Sequence, residues 1–294
     1  MSSLKNLLTI DIEEWYNFIG DKGAPSFEEW SKCESRVEML TEKILEILEG
    51  YSVTFFILGF IGRQHPQLVK RIHNAGHEIA CHGEKHDFVF DLSRQQFRED
   101  ISRAKKLLED ITGQPCLGYR APAFSIKKSN LWALEIIREE GFLYDASIFP
   151  AVRTAGGGST RFFKYPHILK LKAGNLVEFP VSSTRLFGVQ TVFCGGGFFR
   201  FFPRSYIYRN IERINNKDKQ PVVIYLHPRD IDPHQPRMKL KPMNRFLYYY
   251  GLKEGEAKFR HLVNRYKWWG MGDFAKPYIH GIKSDLPVIE IEKV

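Results

Sequence analysis

Seven apolar stretches that read as buried strands recur along this chain, most of them followed by a segment with helical periodicity. They are LLTIDI (7–12), VTFFILGF (53–60), HEIACH (77–82), CLGYR (116–120), FLYDASIF (142–149), NLVEFPVS (175–182) and PVVIYLHP (221–228). Strands alternating with helices imply an α/β fold around a mostly parallel sheet, open or closed into a barrel. Val37, Leu40, Ile44 and Leu48 share one face of a helix over 34–49, and Pro66 opens another that Gly76 closes. Ser93 and Gln96 form a capping box for a helix stopped near Gly113, and Ser129 caps one ending at Gly141. Further helices fall near 204–215 and 255–268. From 151 to 175 the pattern loosens around a glycine-rich loop at 155–160. No boundary or repeat interrupts the chain, so one domain spans 1–294, with a C-terminal helical extension from about 242.

Asp11, His82, Arg120, Asp145 and His227 all stand near C-terminal ends of different strands. (β/α) barrels place their active sites there, which favours the closed form. His82 and His86, four apart, are a weak motif alone, but two imidazoles suit Zn²⁺, which still needs a carboxylate and a water. Co²⁺, Ni²⁺ or Mn²⁺ would also accept such a set. Asp11 and Glu13 leave the same face of a strand end, as one ligand and one base would, or as a solvated acidic end would. Arg120 in its apolar setting calls for a carboxylate, with Asp11 the natural partner, or it pins a loop. Pro122 fixes the backbone before Ala123, whose N–H can face the site. Asp145 either orients a histidine or caps a turn. His227, leaving a buried strand before Pro228, is placed for proton transfer or is an ordinary strand-end residue.

Lys and Arg outnumber Asp and Glu by 43 to 34, giving a net charge of +9. That excess favours an anionic partner, such as a carrier-linked or acidic sugar or a membrane surface, or marks a generally basic exterior. A nucleic-acid role would need 161–172 and 237–250 to form one groove and is not expected. The first residues do not form a signal peptide, and no stretch approaches the roughly 18–20 apolar residues of a membrane span. Cys33, Cys81, Cys116 and Cys194 are widely spaced and read as reduced thiols in a cytoplasmic protein, with Cys81 turned away from the His82 face. Glycines at 195–197 lack the ending of a phosphate loop, and no nucleophile motif appears. Assembly into homo-oligomers is left open.

The pieces TIDIEEW, HGEKH, RAPAF, YDASIFP and YLHPRDID, in this order, resemble the polysaccharide deacetylase superfamily (NodB homology, carbohydrate esterase family 4). The wording GYRAPAFSI, GGGFFRFFP and LHPRDIDPHQPR is similar to a branch found in exopolysaccharide and cell-surface glycan gene clusters. The resemblance runs from about 7 to 270. It implies a distorted (β/α) barrel, usually seven-stranded, and metal-dependent removal of acetyl from N-acetylated sugars. By motif, Asp11 would be the base, His82 and His86 the ligands, and His227 the acid. Arg120 would hold Asp11 and Asp145 would support the acid. Many members have adjacent aspartates where this chain reads Asp-Ile-Glu-Glu, so the third ligand becomes Glu13, with Glu14 as fallback. Ala123 replaces an aromatic residue found in many members, opening the sugar-facing wall. Two other readings stay open: an allantoinase-like hydrolase of cyclic amides or ureides, and a non-catalytic glycan-binding relative.

Overall fold

NLLTIDI, the strand β1 (Asn6–Ile12), is buried at every position. A strand with both faces covered needs no polar alternation, because helices cover one side and the barrel interior the other. The computed structural model describes residues 4–151, 158 and 163–291. Within these, β2 (Thr54–Ile57), β3 (Glu78–Cys81), β4 (Gly118–Tyr119) and β5 (Tyr144–Asp145) follow in parallel on one side of β1. An antiparallel hairpin, β6 (His167–Leu171) and β7 (Gly174–Glu178), comes next, and β7 runs parallel to β5. A second hairpin, β8 (Ser183–Leu186) with β9 (Val189–Val192), stands off the main sheet. Strand β10 (Val223–Leu226) flanks β1 on its other side, with Leu7 opposite Val223. Beyond it in sequence, β11 (Trp268–Trp269) pairs with the start of β1, and β12 (Val288–Glu290) with β6.

The gap between β7 and β10 is bridged at Ser182. Its N–H donates to the Val223 carbonyl at 3.2 Å, and its hydroxyl accepts from the Val223 N–H at 2.8 Å. β1 to β5, β7 and β10 thus form a distorted seven-stranded (β/α) barrel, closed by the backbone and side-chain bonds of Ser182 instead of a ladder. Strand alternation sorts the core. Leu8, Ile10 and Ile12 join the outer core under the helices α1 (Val37–Ile47), α2 (Gly59–Gln64), α3 (Pro66–Asn74), α4 (Arg94–Thr112) and α5 (Trp132–Glu139). Leu7, Phe56, Ala80, Val177 and Val223 fill the interior. Each such large side chain contributes about 1.5–3 kcal/mol by burial. The C-terminal region interleaves with the barrel: α6 (Gly196–Phe201), α7 (Arg204–Arg213), α8 (Pro242–Tyr249), α9 (Gly255–Arg265) and α10 (Met271–Ile279) alternate with β10 and β11.

Helix ends follow local chemistry. The Ser93–Gln96 box forms in both directions, at 3.2 and 2.9 Å, and Gly113 stops α4 in the left-handed region. Other expectations shift. The second strand ends at Ile57, because Gly59 already opens α2. Ser129 lies inside a 3₁₀ turn, where Asn130 Oδ1 accepts from Lys127 N at 2.7 Å, so it does not cap α5. β6, the β8–β9 hairpin and α8 arise in stretches whose sequence pattern is weak. The glycine-rich loop expected at 155–160 lies outside the described residues apart from Gly158. Cys81 packs in the outer core, away from His82, and the four thiols are free. Among the described residues no helix is long and apolar enough to cross a membrane.

Candidate active site

The C-terminal end of β1 delivers Asp11 and Glu13 into one buried cluster. Asp11 Oδ1 accepts from Arg120 Nη1 at 2.5 Å, while Oδ2 has no hydrogen-bond partner. Glu14 points elsewhere. Its carboxylate accepts from Ser35 Oγ at 2.5 Å and from the N–H groups of Arg36 and Val37 at 3.0 and 3.2 Å, capping α1. This capping explains why α1 starts at Val37 instead of 34, and it removes Glu14 from the ligand set.

His82 follows β3, and its Nδ1 sits 2.8 Å from the Arg120 carbonyl oxygen. His86 follows a turn in which Gly83 has φ +79° and His86 itself φ +63°. A Cβ at Gly83 would stand 2.9 Å from Asp100 Oδ2, so only glycine lets the turn lie against α4. Asp100 accepts from the Glu84 N–H at 3.0 Å and steadies the turn; burial and Asp87 push its carboxyl up to about 7. Glu84 is ion-paired with Arg63. His82 Nε2 and His86 Nε2 each lie 3.0 Å from Glu13 Oε1. Burial pushes the Glu13 carboxyl up, but His86, Arg229 and His227 outweigh it and hold it well below its ordinary value.

This donor set fits a metal ion. A carbonyl oxygen only accepts, so His82 Nδ1 carries the proton, and the neutral ring keeps its lone pair on Nε2. That lone pair faces Glu13 Oε1, another acceptor, beside His86 Nε2. Acceptor atoms converging this closely repel unless a proton or cation lies among them. Two imidazoles and a carboxylate oxygen suit a borderline divalent ion. Glu13 offers a single oxygen, because Oε2 is held by Arg229.

Arg120 is fully buried, its Cζ 4.1 Å above the Phe56 ring. It also donates to Thr9 Oγ1 at 2.7 Å and the Ala146 carbonyl at 3.2 Å. Pro122 lies 3.6 Å from the position of a Cβ on Gly83, so the left-handed turn at Ala123 (φ 49°, ψ 25°) abuts the ligand turn. Asp145 does not reach His227 as its expected role requires. It accepts from Ser147 Oγ at 2.6 Å and Ser147 N at 3.0 Å, and sits opposite Glu178 on β7. Burial raises both carboxyls, Glu178 strongly because Asp145 adds like charge. A hydrogen bond between them forms only when one retains its proton.

The support expected of Asp145 comes instead from Asp230, whose Oδ2 is 2.9 Å from His227 Nδ1 and also accepts the His227 N–H at 2.9 Å. Burial raises the Asp230 carboxyl, but Arg200 and His227 overcome this and hold it far below the usual range. Arg200 Nε donates to Asp230 Oδ1 at 2.8 Å. On its other side, His227 Nε2 is 4.0 Å from Asp11 Oδ2 and 3.7 Å from Glu13 Oε1. The three glycines of 195–197 serve close packing. A Cβ at Gly195 would fall 2.0 Å from the Tyr225 ring, and one at Gly196 3.3 Å from His227 Cε1. Asp230, Arg229, Arg200 and Glu178 carry no sequence signal except the spacing His-x-x-Asp at a strand end.

A polysaccharide deacetylase family model matches residues 27–138, and a domain of unknown function (DUF3473) matches 146–276. A peptidoglycan-N-acetylglucosamine deacetylase of Bacillus cereus is 34% identical over 98 residues, 32% of this chain and 36% of that protein. A peptidoglycan deacetylase of Helicobacter pylori is 27% identical over 142 residues, 47% of each chain. The chain thus spans about a third to a half of the length of these relatives. A Mycobacterium smegmatis structure assigned to the polysaccharide deacetylases superposes with TM-score 0.64 at 20% identity, covering 98% of this chain and 94% of that one. An allantoinase superposes at 0.58 and 18% identity, over 92% and 89%. Both likenesses concern the fold. Residues 27–138 resemble the polysaccharide deacetylase family, and that match covers less than half of the chain. Its site straddles the two matched regions: His82, His86 and Arg120 fall in the first, and His227, Arg229 and Asp230 in the second.

Proposed function

We propose that this protein is a metal-dependent N-deacetylase acting on an N-acetylated amino sugar of a polysaccharide, glycolipid or glycan precursor. The observation that carries the reading is the convergence of His82 Nε2 and His86 Nε2 on Glu13 Oε1, with Asp11 and His227 alongside. A divalent ion held by Glu13, His82 and His86, with Zn²⁺ the default, supplies Lewis-acid polarisation of the amide carbonyl and a more acidic water. Arg120 occupies Asp11 Oδ1, so Oδ2, without a hydrogen-bond partner, takes the proton from the attacking water. The Ala123 turn lies beside the ligand turn and offers backbone polarity to the developing oxyanion. His227 donates from Nε2 to the departing amine while Asp230 holds Nδ1–H, and acetate and a free amino sugar result.

The retention of base, acid and ligand set together disfavours a non-catalytic relative. The experiment is acetate release across N-acetylated glycans and nucleotide sugars, with and without chelator, beside elemental analysis of the purified protein. Chelator-sensitive release is expected. Absence of release from every substrate after metal loading, or opening of cyclic amides by metal-free protein, would sink the proposal.

A further inference from the structure

The outer surface of α8 and the end of α6 is apolar where it meets solvent. Phe201, Met243, Phe246, Leu247 and Tyr250 are 39–66% exposed. The aromatic members touch one another: the Phe201 centroid is 5.6 Å from Tyr250 and 6.3 Å from Phe246, and Phe246 is 4.9 Å from Tyr250. Single exposed apolar residues need no explanation, but a contiguous patch with a polar rim marks an interaction surface.

The rim is basic. Between Arg237 and Glu254 the chain places five cations, Arg237, Lys239, Lys241, Arg245 and Lys253, against Glu254, and Asp21 adds a second acid at the start of α8, where it accepts from the Lys241 N–H at 2.9 Å. All five cations are exposed, and none forms an ion pair with an acid among the described residues. Arg237 stacks over Tyr249 at 4.2 Å. A buried arginine links the patch to the site. Arg200 donates to the carbonyls of Leu247 and Tyr250 and, through Nε, to Asp230, which orients His227. Gly197 packs so tightly on the Leu247 carbonyl that a Cβ would come within 2.8 Å.

We propose that this face docks on an anionic lipid bilayer, with the apolar side chains entering the headgroup region and the cations meeting lipid phosphates. Charge complementarity selects the occupant. A second copy in a two-fold contact would set the same five cations against themselves. A polyanion such as nucleic acid would match the rim and leave the Met243, Phe246 and Leu247 centre without apolar cover. The proposal stands apart from the deacetylase reading, since vesicle binding is measured without turnover.

The test is cosedimentation of the full chain with vesicles of phosphatidylcholine alone and of phosphatidylcholine mixed with phosphatidylglycerol, at low and high salt. Binding to the mixed vesicles, weakened by salt, is expected. Met243→Ser with Phe246→Ser should weaken it about tenfold or more by removing the inserted side chains. Lys241→Glu with Arg245→Glu should do the same on mixed vesicles. All four positions lie outside the catalytic machinery, so thermal melting and acetate release from a soluble substrate should stay near wild type. No cosedimentation with mixed vesicles, or binding that neither pair of substitutions alters, overturns the proposal. So does a concentration-dependent dimer, without vesicle binding, that Phe246→Ser dissolves.

Discussion

Two histidine–carboxylate contacts meet in this site, and they are built differently. At Glu13, His82 and His86 direct Nε2 atoms at one oxygen, and the Arg120 carbonyl takes the His82 Nδ1 proton, so a neutral His82 ring faces Glu13 with its lone pair. At Asp230, His227 donates from Nδ1 and from its backbone, and Arg200 neutralises the second oxygen. The first cluster needs a proton or a cation among its converging atoms; the second is complete from its own donors and acceptors. On the proposed function, metal binding and proton donation should therefore be separable by substitution, although the two clusters lie within 4 Å of each other.

The largest effect should come from emptying the first cluster. His82→Ala and Glu13→Ala are expected to lose bound metal by elemental analysis, and acetate release with it. Retained stoichiometric metal in either would break the comparison. Next, Asp11→Asn and His227→Ala should lower kcat by about 10²–10⁴-fold while metal content stays at the wild-type level. Loss of metal in His227→Ala would show that the two clusters are one unit.

Asp230→Asn tests the second cluster through stability. It leaves the buried Arg200 guanidinium without its counter-charge, and about 3–5 kcal/mol is expected from denaturant melts near neutral pH. The folded Asp230 carboxyl titrates below its unfolded value, so its contribution is full above the unfolded value and is lost as pH falls through the folded one. The gap between wild type and variant should therefore narrow in acid. Glu14→Ala should cost only about 1 kcal/mol, the loss of a helix cap, with metal content and kcat unchanged. Metal loss there would return Glu14 to the ligand set. The smallest effect is expected at Glu178→Gln. The native carboxyl titrates above its unfolded value, so wild-type stability falls as pH rises above about 4.5, and the variant should lack that part of the fall.

Much of the barrel was legible because β1, β2 and β10 are buried at every position, and β3 at all but Glu78, and their sequences are mostly apolar. The helices with strong end signals, such as α4 with Ser93 and Gly113, were legible for a local reason as well. The two-residue ladders β4 and β5 were overread as long strands, since burial there comes from neighbours more than from pairing. The hairpin β8–β9 exposes Arg185, Phe187 and Val189, polar and apolar alike, so no buried-apolar alternation marks it. In the site, Asp11, His82, Arg120 and His227 could be marked in advance because each stands near a strand end, and His86 by its spacing from His82.

The chain's own pattern determined the parallel barrel, the end of it that carries chemistry, and the residue types gathered there. It left Glu13 against Glu14 to the two-residue period of a strand end. It left Asp145 to orient a histidine or cap a turn, and only the family resemblance assigned it the support of His227. Only the folded molecule decided these. Glu14 is drawn off by the free N–H groups at the start of α1, and Asp145 faces Glu178 across β5 and β7. Asp230 reaches His227 because a 3₁₀ turn after Pro228 brings a residue three positions on back to the ring. Which carboxylate meets which histidine depends on the competing donors around each, and those donors come from segments far apart in sequence.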